Sequence, residues 1–229
     1  MNNITPTISR RETLAKAGIV GMGAAAFLLR AKTGSAQPAA KAMPAAKAMA
    51  DAKVMADAPA PKMMAPAGDL DIVRFALTME RLEAAFYAQV VTAHQARAYL
   101  SPRAFELTQK IALAEAAHVE ALEAVLTGAG QILPDATTYQ FPAQVFISPI
   151  TYAWFAYTLE EIGIGAYLGA VGSIDSDAIR QAAASIYGAE AQHAAILRTF
   201  AGFDFAPRYY ESPLTVNQVT QLITPYIVA

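Results

Sequence analysis

The chain has 229 residues, 55% of them hydrophobic, a formal net charge of −2 and no cysteine. That length and apolar content are enough for one globular domain with a sizeable core. Interspersed charge offers no basic stripe to a nucleic-acid backbone. The lack of thiols excludes disulfides, thiolate metal sites and cysteine nucleophiles, so any metal must be held by carboxylates and imidazoles.

At the N-terminus, Ser9-Arg10-Arg11-Glu12-Thr13-Leu14-Ala15-Lys16 precedes an uncharged apolar run from Ala17 to Leu29 and small residues at Gly34, Ser35 and Ala36. This is the layout of a signal peptide over residues 1–36, because the apolar run is shorter than the roughly 20 residues of a membrane-spanning helix. The paired Arg10 and Arg11 resemble a twin-arginine signal, which implies delivery by the export machinery to the periplasm or beyond. Residues 37–68 are almost wholly Ala, Pro, Lys, Met and Asp, with Lys41-Ala42-Met43, Lys47-Ala48-Met49 and Lys53-Val54-Met55 repeating at a fixed interval. Without aromatics such a segment builds no core, and it reads as a flexible linker in which Met is incidental.

The domain follows over residues 69–201. Gly68-Asp69 opens a first helix, and Ile72, Phe75, Leu77, Met79, Leu82 and Phe86 carry it at helical spacing to about Tyr99. Ser101-Pro102 is a cap followed by an N1 proline, opening a second helix that runs to Thr127 and stops at Gly128. The same device at Ser148-Pro149 opens a third, ending at Gly172, and Asp175-Ser176 opens a fourth, ending at Gly202. No stretch alternates with period two long enough to form a strand, so the class is all-α. Short turns make helices one and two, and three and four, antiparallel neighbours. Residues 129–148 are long enough to serve as the crossover of a four-helix bundle. In the extension 202–229, Thr215 with Gln218 forms a capping box that predicts a short helix over Val216 to Ile223.

Laid over each other, helices one and three match at Phe75/Phe155, Ala76/Ala156, Thr78/Thr158, Glu80/Glu160 and Tyr87/Tyr167. Helices two and four match as Ile111-Ala112-Leu113-Ala114-Glu115-Ala116-Ala117-His118 and Ile186-Tyr187-Gly188-Ala189-Glu190-Ala191-Gln192-His193. One helical hairpin is duplicated, and packing about a pseudo-twofold axis sets equivalent residues face to face. Each of the four Glu residues lies about 12 to 15 residues into its helix, near the midpoint, so all share one level. In ExxH the two side chains stand about 60° apart and one turn along, so both reach the bundle axis. Apolar or small neighbours, among them Leu113, Ala114, Ala117 and Val119, suggest a buried setting, where unpartnered carboxylates cost several kcal/mol. Glu80, Glu115, His118, Glu160, Glu190 and His193 are therefore the expected ligands of two metal ions.

Glu83 lies one turn from Glu80 and is an additional ligand candidate, although its counterpart in the repeat is Gly163. Glu161 pairs with Arg81 and reads as surface. Tyr87 and Tyr167, seven residues beyond their Glu, point back toward the ligands as hydrogen-bond donors, redox-active phenols or core tyrosines. His94 has no Glu at minus three and reads as structural or exposed.

Glu in helices one and three with ExxH in helices two and four resembles the ferritin-like superfamily over residues 70–201. More narrowly, Leu159-Glu160, the run Gly163-Ile164-Gly165-Ala166-Tyr167-Leu168-Gly169-Ala170, Glu190-Ala191-Gln192-His193 and Ser212-Pro213-Leu214-Thr215 resemble its desiccation-related branch. The resemblance implies two iron ions, with manganese as the alternative, and dioxygen or peroxide as the co-substrate. Expected functions are ferroxidase or peroxidase action in stress protection, a dimanganese catalase, or a non-catalytic stress protein stapled by metal. A homo-oligomer is compatible with all three.

Overall fold

The computed structural model describes residues 68–206 and 210–228. The expected signal peptide over residues 1–36 and the expected linker up to residue 67 lie outside the described residues. Four long helices form the expected all-α bundle: α1 is Asp69–Ala96, α2 Pro102–Gly128, α3 Pro149–Ala170 and α4 Asp177–Phe200. A fifth, α5, is Val216–Ile223.

The helix starts follow the sequence signals. The hydroxyls of Ser101, Ser148 and Ser176 accept from the backbone N–H groups of Ala104, Thr151 and Ile179, so each of α2, α3 and α4 begins on a serine cap. Thr215 and Gln218 close the reciprocal capping box of α5. Helix α1 ends at Ala96, short of Tyr99, because His94 draws the chain away. Its Nδ1 accepts from the backbone N–H groups of Tyr99 and Leu100 at 3.2 and 3.1 Å, and its ring stacks on Phe105. His94 is thus structural, a helix stop that also pins the turn into α2. Helix α3 stops at Ala170 and tightens into a 3₁₀ turn at Val171–Ser173.

Helix α1 packs along α2 and α3 along α4, as two antiparallel hairpins that meet more sparingly through α1 with α3 and α2 with α4. The crossover carries more structure than its sequence suggests. It holds a 3₁₀ turn at Ala143–Phe146 and a two-residue strand, β1 (Thr138–Tyr139), antiparallel to β2 (Ile227–Val228). These strands are too short to alternate detectably, and they form because the end of the chain returns to the crossover. Arg81 fastens the crossover from α1, donating to the carbonyl of Pro134 at 2.9 Å while its Nη2 pairs with Glu123 at 2.8 Å.

Two apolar clusters fill the interior. One contains Met79, Leu82, Phe86, Val90, Ile111, Tyr152, Ala156 and Leu197; the other contains Val73, Leu77, Leu122, Leu126, Ile174 and Ile186. On α2 and α4 the candidate ligands fall between the residues given to the two clusters, whereas on α1 and α3 Met79 and Leu82, and Leu159 and Ile162, of the first cluster flank Glu80 and Glu160. The polar layer therefore interrupts the core at mid-bundle instead of lying on its rim.

The chain after α4 is locked onto α3 at two glycines. A Cβ on Gly165 would lie 2.6 Å from Leu214 Cγ, and one on Gly169 would lie 2.0 Å from the Leu214 carbonyl oxygen. The Leu214 N–H donates to the Gly165 carbonyl at 2.8 Å, so backbone meets backbone in a notch that only glycine leaves open. Gly169→Ala should lower stability by about 1–3 kcal/mol through overpacking. Gly188→Ala, mid-helix with nothing within 4 Å of the added carbon, should raise it by about 0.5–1 kcal/mol. Thermal denaturation of both variants checks this, and an unchanged midpoint for Gly169→Ala would refute the docking role.

Candidate metal centre

The mid-helix carboxylates meet inside the bundle. Glu80, Glu83, Glu115, Glu160 and Glu190 are each 0% exposed, so five acidic side chains share an interior bounded by hydrocarbon. Helix α1 supplies Glu80 and Glu83, α2 supplies Glu115 and His118, α3 supplies Glu160, and α4 supplies Glu190 and His193. The two imidazoles face each other with ring centroids 6.2 Å apart. They are also the only members of the set that touch solvent, with side chains 12% and 11% exposed on the α2–α4 side.

Two groups of four donors emerge. Glu80, Glu115, His118 and Glu190 form one; Glu115, Glu160, Glu190 and His193 form the other, and within each group the donor atoms lie inside 4.8 Å of one another. Ion–ligand bonds of about 2.0–2.2 Å place opposed donors about 4.0–4.4 Å apart, so this spread matches donors around a common centre. Glu115 and Glu190 belong to both groups. The arrangement could hold two ions in adjoining groups that share two carboxylates, each with one further Glu and one His.

Individual atoms bear this out. Glu115 Oε2 lies 3.1 Å from His118 Nδ1 and Glu115 Oε1 lies 2.9 Å from His193 Nδ1, so one carboxylate spans both rings. Yet His193 Nδ1, Glu115 Oε1, Glu160 Oε2 and both oxygens of Glu190 make no hydrogen bond, although His193 Nδ1 lies 2.9 Å from Glu115 Oε1 and 3.3 Å from Glu160 Oε2. They are close without being aimed at each other. Buried polar atoms are ordinarily paired, and a cluster of orphans converging on one volume fits a cation better than a proton network. The residues present are thus compatible with a two-metal site.

Both tyrosines reach across the repeat. Tyr167 on α3 donates to Glu80 Oε1 on α1 at 2.6 Å, and Tyr87 on α1 donates to Glu160 Oε1 on α3. Each hydroxyl holds one carboxylate oxygen, leaving Glu80 Oε2 toward His118 and Glu160 Oε2 toward His193. That division fixes which atom of each carboxylate is offered to the centre, a role for Tyr87 and Tyr167 as orienting groups.

The remaining sequence-derived candidates separate. Glu83 is fully buried beside Gly163 and Glu190 but belongs to neither four-donor group. Glu161 stays outside and pairs with Arg198 at 3.3 Å. Leu113, expected to line the site, is 73% exposed and Ala117 is exposed as well. Both are on the outer face of α2, because the turn that directs Glu115 and His118 inward directs them out.

Electrostatics describe a layer short of positive charge. Burial lifts Glu80 from its ordinary 4.5 to about 8, with His118 opposing the rise and Glu190 and Glu115 adding to it. Burial and the Glu115 charge likewise take Glu160 to about 8, and burial with neighbouring carboxylates raises Glu83 and Glu190 well above the usual range. Glu115 is the exception: burial would raise it, but the two imidazoles outweigh that and bring it down to about 2. Burial would lower His118, but Glu115, Glu190 and Glu80 surround it and raise it to about 12.

Without metal, Glu80 and Glu160 hold protons in the folded chain between pH 4.5 and about 8 that the unfolded chain has released, so stability falls as pH rises through that window. His118 contributes stability that is present below 6.5 and lost as pH rises toward 12; Glu115 contributes stability that is present above 4.5 and lost as pH falls toward 2. Thermal melts in excess chelator should therefore peak near pH 4.5 and decline toward pH 8, more steeply above pH 6.5. A midpoint that climbs steadily from pH 4.5 to pH 8 would contradict this electrostatic picture.

A family model described as a ferritin-like domain matches residues 68–202, more than half of the chain. No curated protein matches it. The matched span runs from the start of α1 to just past the end of α4 and contains every residue of the cluster. The chain belongs to the ferritin-like domain family.

Proposed function

Taking ferritin-like membership as the premise, we propose that this chain is an exported di-iron protein that reacts ferrous ion with dioxygen or hydrogen peroxide, as a ferroxidase or peroxidase in stress protection. The observation that carries the reading is the pair of four-donor groups sharing Glu115 and Glu190. Glu80 and His118 would hold one ion and Glu160 and His193 the other, each together with Glu115 and Glu190. A set of carboxylates with one imidazole per ion suits iron or manganese, and a thiol-free chain argues against softer metals. When bound, two adjacent ferrous ions supply the two electrons that, with two protons, convert one hydrogen peroxide into two waters.

The chain's own groups do the rest. Tyr167 and Tyr87 hold Glu80 Oε1 and Glu160 Oε1, so the oxygens offered to the ions are fixed before any ligand arrives. Apolar clusters on either side keep water from the carboxylates. Solvent reaches the layer at the His118 and His193 edge, between α2 and α4, where a small oxidant can enter. Among the described residues no helix is long and apolar enough to cross a membrane. The export assignment rests on Arg10-Arg11 and the apolar run behind them. Stress protection fits the residues that resemble the desiccation-related branch.

Purified chain should carry two iron ions and consume peroxide or dioxygen as ferrous ion is added. Glu115→Ala should abolish the reaction along with one or both ions, and Tyr167→Phe should slow it by roughly 10- to 100-fold with metal content nearly kept. Two bound ions that oxidise ferrous ion no faster than free iron does, in a protein whose melting point collapses on chelation, would leave a purely structural metal site. Two manganese ions with rapid peroxide disproportionation would favour a catalase.

A further inference from the structure

Glu83 has no counterpart in the other half of the repeat. Its equivalent on α3 is Gly163, and the structure shows what that glycine is for. A Cβ on Gly163 would lie 3.3 Å from Glu83 Oε1, 3.7 Å from Glu83 Oε2 and 3.3 Å from Glu190 Oε2. The Glu83 carboxylate, reaching from α1 to the flank of Glu190, sits against this glycine closely enough that a side chain there would crowd it. The carboxylate is fully buried, and neither of its oxygens has a hydrogen-bond partner. Every other carboxylate of the layer has either a tyrosine hydroxyl or an imidazole nitrogen within 3.3 Å. Glu83 alone has neither.

An interior carboxylate with two orphaned oxygens is costly to keep unless something in the folded protein binds it. The charged groups acting on it are Glu190, Glu80, Glu160 and Glu115, all of which oppose its ionisation, so a cation is the partner it lacks. Its position reinforces this: the imidazoles approach the layer from the α2–α4 side, whereas Glu83 enters from between α1 and α3, against Gly163. It shares that place with Glu190 Oε2, the other oxygen 3.3 Å from the Gly163 Cβ position.

We propose that Glu83 is a seventh metal ligand, seated in the notch left by Gly163, and that it makes the two cation positions chemically unequal. The inference rests on the two-metal reading above. One ion then has the donor set that the repeat dictates, and the other has that set plus one carboxylate. The duplicated hairpin thus yields one tighter site and one weaker site, filled in sequence, instead of two equivalent ones.

The test is an equilibrium titration of the chelated full chain with cobalt(II), read by its visible absorption, which reports both stoichiometry and coordination. The native chain should bind two equivalents in two resolved steps. Glu83→Gln should still bind two, but with the tighter step weakened by at least about tenfold and its absorption band altered, leaving two similar steps. Gly163→Ala, which crowds Glu83 Oε1 and Glu190 Oε2 alike at 3.3 Å, should move the same step in the same direction, so Glu83→Gln is the variant that isolates Glu83. Far-UV circular dichroism and the melting point of the metal-free variants separate loss of a ligand from loss of fold. If the native chain binds no cobalt at the layer, the two-metal reading itself fails. If it binds two equivalents and both folded variants keep the native affinities and spectrum, Glu83 is only a buried acid and the proposal is overturned.

Discussion

The structure depends on a layer of charge placed where a helical bundle would otherwise be continuous hydrocarbon. Five carboxylates and two imidazoles sit between two apolar clusters, and the carboxylates have no exposure at all. With every group charged, the layer would carry five negative charges against two positive ones. Protons can relieve part of this, which is why Glu80 and Glu160 rise to about 8. The oxygens of Glu190 and Glu83 nevertheless remain without hydrogen-bond partners. Two divalent cations would meet both needs, balancing most of the charge and giving the orphaned atoms a common partner.

Duplication explains how so demanding a layer can be assembled. Each hairpin contributes a Glu, an ExxH and a Tyr at the same heights, so registering the two hairpins registers the whole site. The tyrosines cross from one half to the other, tying Glu80 to α3 and Glu160 to α1. Formation of the centre is thereby coupled to docking of the hairpins. The peripheral anchors serve the same register. Asp69 at the start of α1 accepts from the backbone N–H groups of Asp175 and Ser176 at 2.8 Å, and Leu214 closes on the Gly165 and Gly169 notch.

Most of this was legible in the sequence, because duplicated motifs restrict geometry more than single ones do. The serine caps and N1 prolines located three helix starts, and the two offsets paired the ligands before any distance was known. The features that escaped notice depend on tertiary contact. The β1–β2 pairing needs the chain end to return to the crossover, and the early stop of α1 needs His94 to turn back on Tyr99 and Leu100. Leu113 looked like lining because apolar character was read without helix phase, which turns it to solvent. Gly163 is the most instructive case. Opposite Glu83 in the alignment it argued against a role for that residue, whereas in space its missing side chain gives Glu83 room to enter the layer.

The central claim is that Glu115 and Glu190 lie between two metal ions, each with its own histidine. Anomalous diffraction at the iron edge, from crystals of the iron-loaded protein, addresses it most directly. The account predicts two peaks within the bundle, one beside His118 and one beside His193, with both shared carboxylates between them. A single peak, or iron bound only outside the layer, would contradict it.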